Sequence, residues 1–151
     1  MGAAMGEKLR FADVRPGQVF RSPARTVTAA EIKAFAREFD PQPFHVDDAA
    51  AERGPFGGLA ASGWHTTALT MRLLVDGGLP IEGGIVGAGI DELRWQRPVR
   101  PGDTLSVESE VLEVIPSASR PGQGRVRVAA RTFTADGTLV QSWIATLVMR
   151  G

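Results

Sequence analysis

The stretch that decides the fold is residues 61–75, which read ASGWHTTALTMRLLV. From Gly63 onward, apolar residues occur around most of the circumference of a helix, a pattern typical of a helix buried in a core rather than laid on a surface. The pair Gly77-Gly78 predicts the end of this helix, because glycine is the preferred residue just past a helix C-terminus. We therefore expect one long buried helix near the middle of the chain.

The second half of the chain has the patterns of β-strands. Residues 85–95 contain an apolar run, residues 105–111 alternate between apolar and polar with the period of a half-buried strand, and residues 125–134 predict another strand. Asp136-Gly137 is a strong hairpin signal. Residues 143–149 are apolar on both faces, which predicts a central place in the sheet. One buried helix followed by antiparallel strands predicts an α+β fold, a sheet wrapped around that helix.

The first half of the chain predicts a strand and an amphipathic helix. Residues 18–21 indicate the strand. Thr28 and Glu31 match a capping box, in which the two residues satisfy each other's backbone N–H groups at a helix start. Pro41 sets the end of the helix, because the residue before a proline is pushed out of helical geometry.

Composition limits the class of protein. With 151 residues, 43% of them hydrophobic, the chain has the size of a single domain over residues 1–151, with a flexible leader over 1–10. Seventeen basic residues balance seventeen acidic ones and are scattered, which argues against a nucleic-acid partner. There is no cysteine, no apolar run long enough for a membrane span and no secretory signal, so we expect a soluble cytoplasmic protein.

Candidate catalytic residues follow the first helix, where residues 39–45 read FDPQPFH. Each proline fixes its own φ and pushes the preceding residue toward extended geometry, so this loop is stiff. Asp40 and His45 can therefore converge on one small molecule without sharing a helix face. Alternatively, Asp40 only ends the helix, because Asp-Pro is a common turn former. The long segment over residues 40–61 is expected to be a loop or a set of short helical turns, and such segments are usually functional or disordered.

Residues 39–45 resemble the motif of the MaoC-like dehydratase family, the (R)-specific enoyl-CoA hydratases of the hot-dog fold. That motif has an Asp, then commonly Asn-Pro, and a His five positions after the Asp. Asp40, Pro43 and His45 match it, whereas Gln42 stands where Asn is usual.

The resemblance extends over nearly the whole chain. Ser62-Gly63 corresponds to a His-Gly pair at the head of the family's central helix, with Ser62 in the place of His. Residues 94–105 resemble the family's strand-turn signature. The resemblance implies a homodimer of hot-dog subunits with active sites near the dimer interface. It also implies an acyl thioester of CoA or of acyl carrier protein as substrate.

The function that this resemblance implies is reversible hydration of a trans-2-enoyl thioester to a 3-hydroxyacyl thioester. We assign Asp40 as the base and His45 as its partner in positioning water. The backbone N–H of Gly63 is the expected oxyanion donor, because a helix N-terminus carries unpaired N–H groups and the positive end of the helix dipole. Glycine at this position leaves room for the thioester. Ser62 and Gln42 are weaker candidates for substrate contact.

Several alternatives apply to these residues. Ser62 is also a preferred helix N-cap, and His65 is more consistent with a structural role. A Ser62/His45/Asp40 triad is excluded, because Ala60 and Trp64 stand where a nucleophile elbow has glycine. We expect no cofactor and no metal, since two histidines without cysteine provide no recognisable ligand spacing. A hot-dog thioesterase and a non-catalytic acyl-thioester-binding or dimerisation module stay open as functions.

Overall fold

The computed structural model describes residues 7–151. After a short 3₁₀ turn, the chain forms β1 (Val19–Arg21), β2 (Arg25–Thr26) and α1 (Ala29–Phe39). Helix α1 begins as predicted, because the side chain of its N-cap, Thr28, accepts a hydrogen bond of 3.1 Å from the Glu31 N–H. The return half of the capping box is not formed. The Glu31 carboxylate instead accepts from the Thr28 hydroxyl at 3.3 Å and from the Arg25 guanidinium at 3.5 Å.

The segment predicted as a long loop or short turns contains two short helices. They are α2 (Pro43–Val46) and α3 (Asp48–Glu52), and they lead to the central helix α4 (Gly63–Leu73), which continues as a π-helical turn over Leu74–Gly78. Four long strands complete the fold: β3 (Val86–Arg94), β4 (Thr104–Pro116), β5 (Gly124–Thr134) and β6 (Leu139–Met149). No helix within residues 7–151 has the length and apolar character needed to cross a membrane.

All six strands belong to one antiparallel sheet in the order β1-β4-β5-β6-β3, with β2 paired to the start of β4 beside β1. β6 lies between β5 and β3, which confirms its predicted central place. β5 and β6 are joined by the predicted turn, in which the Gly137 N–H donates to the Thr134 carbonyl at 2.9 Å. Because α4 packs against this sheet, the predicted α+β architecture is confirmed.

The predicted leader is wrong for its last residues. Leu9 is buried in the core and pairs with Ile81 in an isolated parallel bridge. Its N–H donates to the Pro80 carbonyl at 2.7 Å, and its carbonyl accepts from the Glu82 N–H at 2.9 Å. An apolar side chain with both backbone groups paired is fixed to the fold rather than flexible. The first six residues of the predicted leader lie outside the described part of the chain.

Helix α4 packs its buried face against the sheet as predicted, and its other face is partly exposed. Its buried face includes the polar residues Thr66 and Thr70, whereas Trp64 is 57% exposed and Val75, just past the helix, is 56% exposed. The Thr70 hydroxyl is satisfied within the fold by Thr132 at 2.6 Å and by Gln141 at 2.8 Å. The sheet covers only one side of α4 in a single chain, so apolar residues of the other side face outward.

Strand β3 is an exposed edge of the sheet. It pairs only with β6, and apart from Leu93 all its residues are exposed, including Ile90 at 48%. An unpaired strand edge with apolar side chains is suited to pairing with another chain. This edge and the outward side of α4 are thus two apolar surfaces that the subunit leaves uncovered.

Candidate active site

Asp40 and His45 meet at the junction of α1 and α2. Helix α1 ends before Pro41, and Asp40 turns out of helical geometry at φ −153° and ψ 65°. Gln42 is extended at φ −83° and ψ 147°, as expected before a proline, and Pro43 is the first residue of α2. This path brings Oδ2 of Asp40 to 3.4 Å from Nε2 of His45. The structure therefore brings the two side chains together as predicted, and their catalytic role stays a prediction.

The imidazole of His45 is held in one orientation. It is buried, and its Nδ1 lies 2.6 Å from the carbonyl oxygen of Ala60. A carbonyl oxygen only accepts hydrogen bonds, so Nδ1 carries the hydrogen, and Nε2 of the neutral ring is an acceptor. Phe44 packs against the ring edge-on, with centroids 4.6 Å apart, and Phe56 stacks at 6.0 Å. Nε2 therefore faces Asp40.

The carboxyl of Asp40 is held in its ionised form. Its side chain is 18% exposed, and Oδ1 accepts a hydrogen bond of 2.5 Å from the Gln42 side-chain amide. Burial acts to raise the pKa of Asp40, but hydrogen bonds from Ser62 and Gln42, with the nearby His45, outweigh it and lower the pKa below its ordinary value. Asp40 is consequently a carboxylate at neutral pH, and it lies next to Nε2 of His45.

The N-terminus of α4 lies at the same site. Ser62 is its N-cap, and its hydroxyl accepts a hydrogen bond of 3.2 Å from the Trp64 N–H. The Gly63 N–H has no acceptor within residues 7–151, so it is available to an oxyanion. A Cβ on Gly63 would lie 2.6 Å from the indole ring of Trp95. Glycine is thus required at this position by packing against Trp95, which differs from the reason given by the sequence.

One cavity of about 420 Å³ connects these groups. Asp40, Gln42, His45 and Gly63 all line it. The remaining lining residues are Phe44, Phe56, Ala61, Trp64, Thr66, Trp95, Arg97, Pro98 and Val99. Ser62 is fully buried and is not part of this lining. It acts as the predicted N-cap, and it also links the helix head to Asp40.

Arg100 holds the backbone that orients His45, a role that the sequence did not reveal. Its guanidinium donates to the carbonyls of Gly58 at 3.0 Å and Leu59 at 3.3 Å, and also to the carbonyl of Phe56. The next carbonyl along the chain, that of Ala60, accepts from His45. Arg100 lies in the predicted strand-turn signature, but its acceptors are more than forty residues away, so no local pattern identifies them.

His65 does not line the cavity that contains Asp40 and His45. Its ring is buried and stacks on Phe35, with centroids 4.6 Å apart and planes at 7°. Its Nδ1 has no hydrogen-bond partner in the described part of the chain. Burial lowers the pKa of His65, and the nearby Arg25 adds to this effect while Glu31 opposes it. Residues 7–151 contain no cluster of three or more His, Asp or Glu that could hold a metal ion.

Comparisons with known proteins agree with this architecture. The MaoC like domain family matches residues 10–132. A 3-hydroxybutyryl-CoA dehydratase of Methylorubrum extorquens is 32% identical over 97 residues, which are 64% of this chain and 60% of that protein. The structure of a MaoC-like dehydratase from Rhodospirillum rubrum is 53% identical with a TM-score of 0.90, over 93% of this chain and 96% of that one. The structure of an (R)-hydratase from Pseudomonas aeruginosa is 30% identical with a TM-score of 0.76, over 94% of this chain and 86% of that one. The chain has the hot-dog fold and belongs to the MaoC-like dehydratase family.

Proposed function

We propose that the protein catalyses the reversible hydration of a trans-2-enoyl thioester, carried by CoA or by acyl carrier protein, to a 3-hydroxyacyl thioester. One observation carries this proposal: the Asp40 carboxylate and Nε2 of His45 lie 3.4 Å apart in a cavity that also contains Gly63, whose N–H has no acceptor among the described residues. Similarity to a 3-hydroxybutyryl-CoA dehydratase and to an (R)-hydratase supports it.

In this mechanism a water molecule donates hydrogen bonds to Asp40 and to Nε2 of His45. Its oxygen forms a bond to C3, and the electrons of the C2=C3 double bond shift toward the thioester carbonyl. Asp40 takes the proton released by the water and returns it to C2, so the enzyme ends in its starting state. Because its pKa is lowered, Asp40 is ionised before the reaction and gives the proton up readily afterwards, and the same shift makes it a weaker base in the first step.

Negative charge develops on the thioester oxygen during the attack. The N–H of Gly63 donates to that oxygen, and removing one such donor typically costs about 2.7–4 kcal/mol of transition-state stabilisation. Because the donor is a backbone group in the first turn of α4, it is already in place before the substrate binds. His45 and Gln42 are positioning residues. His45 orients the water, and Gln42 orients the carboxylate of Asp40.

The active form that we propose is a homodimer. The free edge of β3 and the outward face of α4 are both apolar and uncovered, and pairing two β3 edges gives both surfaces a partner. Trp64 belongs to the outward face of α4 and also lines the catalytic cavity, so a partner on that face lies beside the site. A cytoplasmic location stays a prediction from the sequence.

The test follows the absorbance of the enoyl thioester of crotonyl-CoA and, in parallel, free thiol. Loss of absorbance without thiol release is the expected result and indicates hydration. Thiol release indicates the thioesterase instead. If neither signal changes across a panel of enoyl-CoA and enoyl-carrier-protein thioesters of different length and branching, the hydratase proposal is wrong and a binding module remains.

A further inference from the structure

Helix α4 carries three threonines, and the hydroxyls of two of them are bound within the fold. The Thr67 hydroxyl donates to Oε1 of Gln141 at 2.6 Å. The Thr70 hydroxyl donates to the carbonyl of Thr66 at 2.9 Å and lies 2.6 Å from the hydroxyl of Thr132. The hydroxyl of Thr66 itself has no hydrogen-bond partner within residues 7–151. It is therefore the threonine of α4 whose polar group the fold does not use.

The side chain of Thr66 is buried, and it opens into the catalytic cavity. Thr66 is only 3% exposed and lines the cavity that holds Asp40 and His45. In the part of the chain that the structure describes, Nδ1 of His65 is the one side-chain polar atom that is both closed off and unpartnered. The Thr66 hydroxyl consequently keeps a small accessible surface, and that surface faces the cavity. A buried hydroxyl without a partner costs free energy, which a ligand group in the cavity can recover.

Thr66 lies on the same face of α4 as Gly63, about one turn further along. Side chains of a helix lean toward its N-terminus, so that of Thr66 lies over the first turn, near the Gly63 N–H. The next three N–H groups of that turn already have acceptors. The Trp64 N–H donates to the Ser62 hydroxyl, and the N–H groups of His65 and Thr66 donate to the Ser62 carbonyl at 2.9 Å and 3.1 Å. A second donor beside Gly63 therefore has to come from a side chain.

The other donors that line the cavity are less suited to this role. The donors that already have acceptors within the fold are those of His45, Gln42 and Trp95. Arg97 and Trp64 are exposed, so water solvates their N–H groups. Thr66 combines burial, an unused hydroxyl and a position next to Gly63. A donor that is held in place and shielded from water is the kind that stabilises developing charge most strongly.

We infer that the hydroxyl of Thr66 is a second donor to the thioester oxygen, beside the N–H of Gly63. The inference rests on the proposed function, in which that oxygen gains negative charge when water adds to C3. The hydroxyl keeps its proton throughout, so no covalent bond to Thr66 forms or breaks. Its hydrogen bond strengthens as the charge develops, and it therefore stabilises the transition state more than the bound substrate.

Thr66→Val tests this role, because it replaces the hydroxyl by a methyl group of similar size. We expect kcat for crotonyl-CoA to fall by about 10²-fold while KM stays within about threefold, since the lost hydrogen bond acts mainly in the transition state. The melting temperature should stay the same or rise, because the variant removes a buried hydroxyl that has no partner in the fold. Thr66→Ser keeps the hydroxyl and should retain kcat within about fivefold. Thr66→Ala is the second variant if the valine variant does not fold.

Thr67→Val is the matched control, because it makes the same change at the next residue of the helix. It breaks the hydrogen bond to Gln141, so the melting temperature should fall by about 3–6 °C, whereas kcat should stay within about threefold. The two valine variants are thus expected to have opposite effects on activity and stability. The inference is overturned if Thr66→Val loses no more activity than Thr67→Val, or if Thr66→Ser loses as much as Thr66→Val.

A measurement without turnover separates this inference from the proposed function. Butyryl-CoA, isotope-labelled at the thioester carbonyl, has no double bond to hydrate, and infrared spectroscopy reports the stretching frequency of its carbonyl. Binding to the wild type should lower this frequency, and Thr66→Val should reverse part of the shift while Thr67→Val keeps it. Hydration of crotonyl-CoA with kcat and frequency both unchanged in Thr66→Val removes only the role of Thr66. A shift that depends on Thr66 without hydration removes the hydratase proposal and keeps Thr66 as a donor to the carbonyl, and a wild type that shows neither hydration nor a shift removes both.

Discussion

Replacing Asp40 by Asn tests the proposed mechanism directly, because it preserves the shape of the side chain and removes its basicity. In the structure, Oδ2 of Asp40 faces Nε2 of His45 at 3.4 Å, while Nδ1–H of His45 is bound to the Ala60 carbonyl. An amide NH₂ in place of Oδ2 can donate to Nε2 and occupy its lone pair. One substitution thereby removes both acceptors that the attacking water needs.

The size of the effect follows from this geometry. A general acid–base group typically contributes ~10²–10⁴ to the rate. Because Asp40→Asn disables His45 as well, we expect kcat/KM for crotonyl-CoA to fall by about 10³–10⁴, which corresponds to roughly 4–5.5 kcal/mol. The double variant with His45→Gln is expected to lose little beyond the worse single variant, because residues that act as a unit are not additive.

The assay is the loss of enoyl absorbance, with thermal unfolding as the measure of stability. Asp47→Asn is the matched control, because Asp47 is the exposed N-cap of α3 and accepts from the Ala50 N–H at 3.1 Å, a role that Asn fills equally well. Its activity is expected to stay within about twofold of the wild type. If Asp40→Asn retains hydratase activity within tenfold of the wild type, Asp40 is not the base, and its role is to end α1.

Three further variants test other parts of the structure. Ile90→Glu places a charge on the free edge of β3, so sedimentation of this variant should show a monomer. A wild type that is itself monomeric at micromolar concentration contradicts the proposed dimer. Ser62→Ala removes a hydrogen bond that lowers the pKa of Asp40, so the acidic limb of the kcat/KM profile should move to higher pH, and an unchanged limb contradicts this link. The same variant loses its N-cap, which should cost about 1 kcal/mol of unfolding free energy. Burial lowers the pKa of His65 in the folded state, so the unfolded chain binds a proton at this residue more readily. The free energy of unfolding should therefore fall as the pH drops below about 6.5. In thermal melts His65→Gln should weaken this pH dependence, and an unaltered dependence would assign it to other groups.

Features that depend on a few neighbouring residues could be predicted from the sequence. Pro41 and Pro43 restrict their own φ and the geometry of the residues before them, and this local restriction is what turns Asp40 toward His45. Thr28 and Ser62 cap helices because their hydroxyls reach N–H groups two or three residues away. The alternation of side chains along the long strands also revealed the sheet, since neighbouring side chains of a strand point to opposite faces.

The remaining parts of the site were decided by tertiary structure. The tautomer of His45 depends on the carbonyl of Ala60, and the need for glycine at position 63 depends on Trp95, which arrives from the end of β3. Neither partner follows from a repeating pattern, because each contact joins two segments that are separated along the chain. The same limit applies to the exposed face of α4. Apolar residues around a helix indicate that the helix packs against other apolar groups. They do not show which face packs on the chain's own sheet and which face the single chain leaves exposed, because this depends on the path of the sheet.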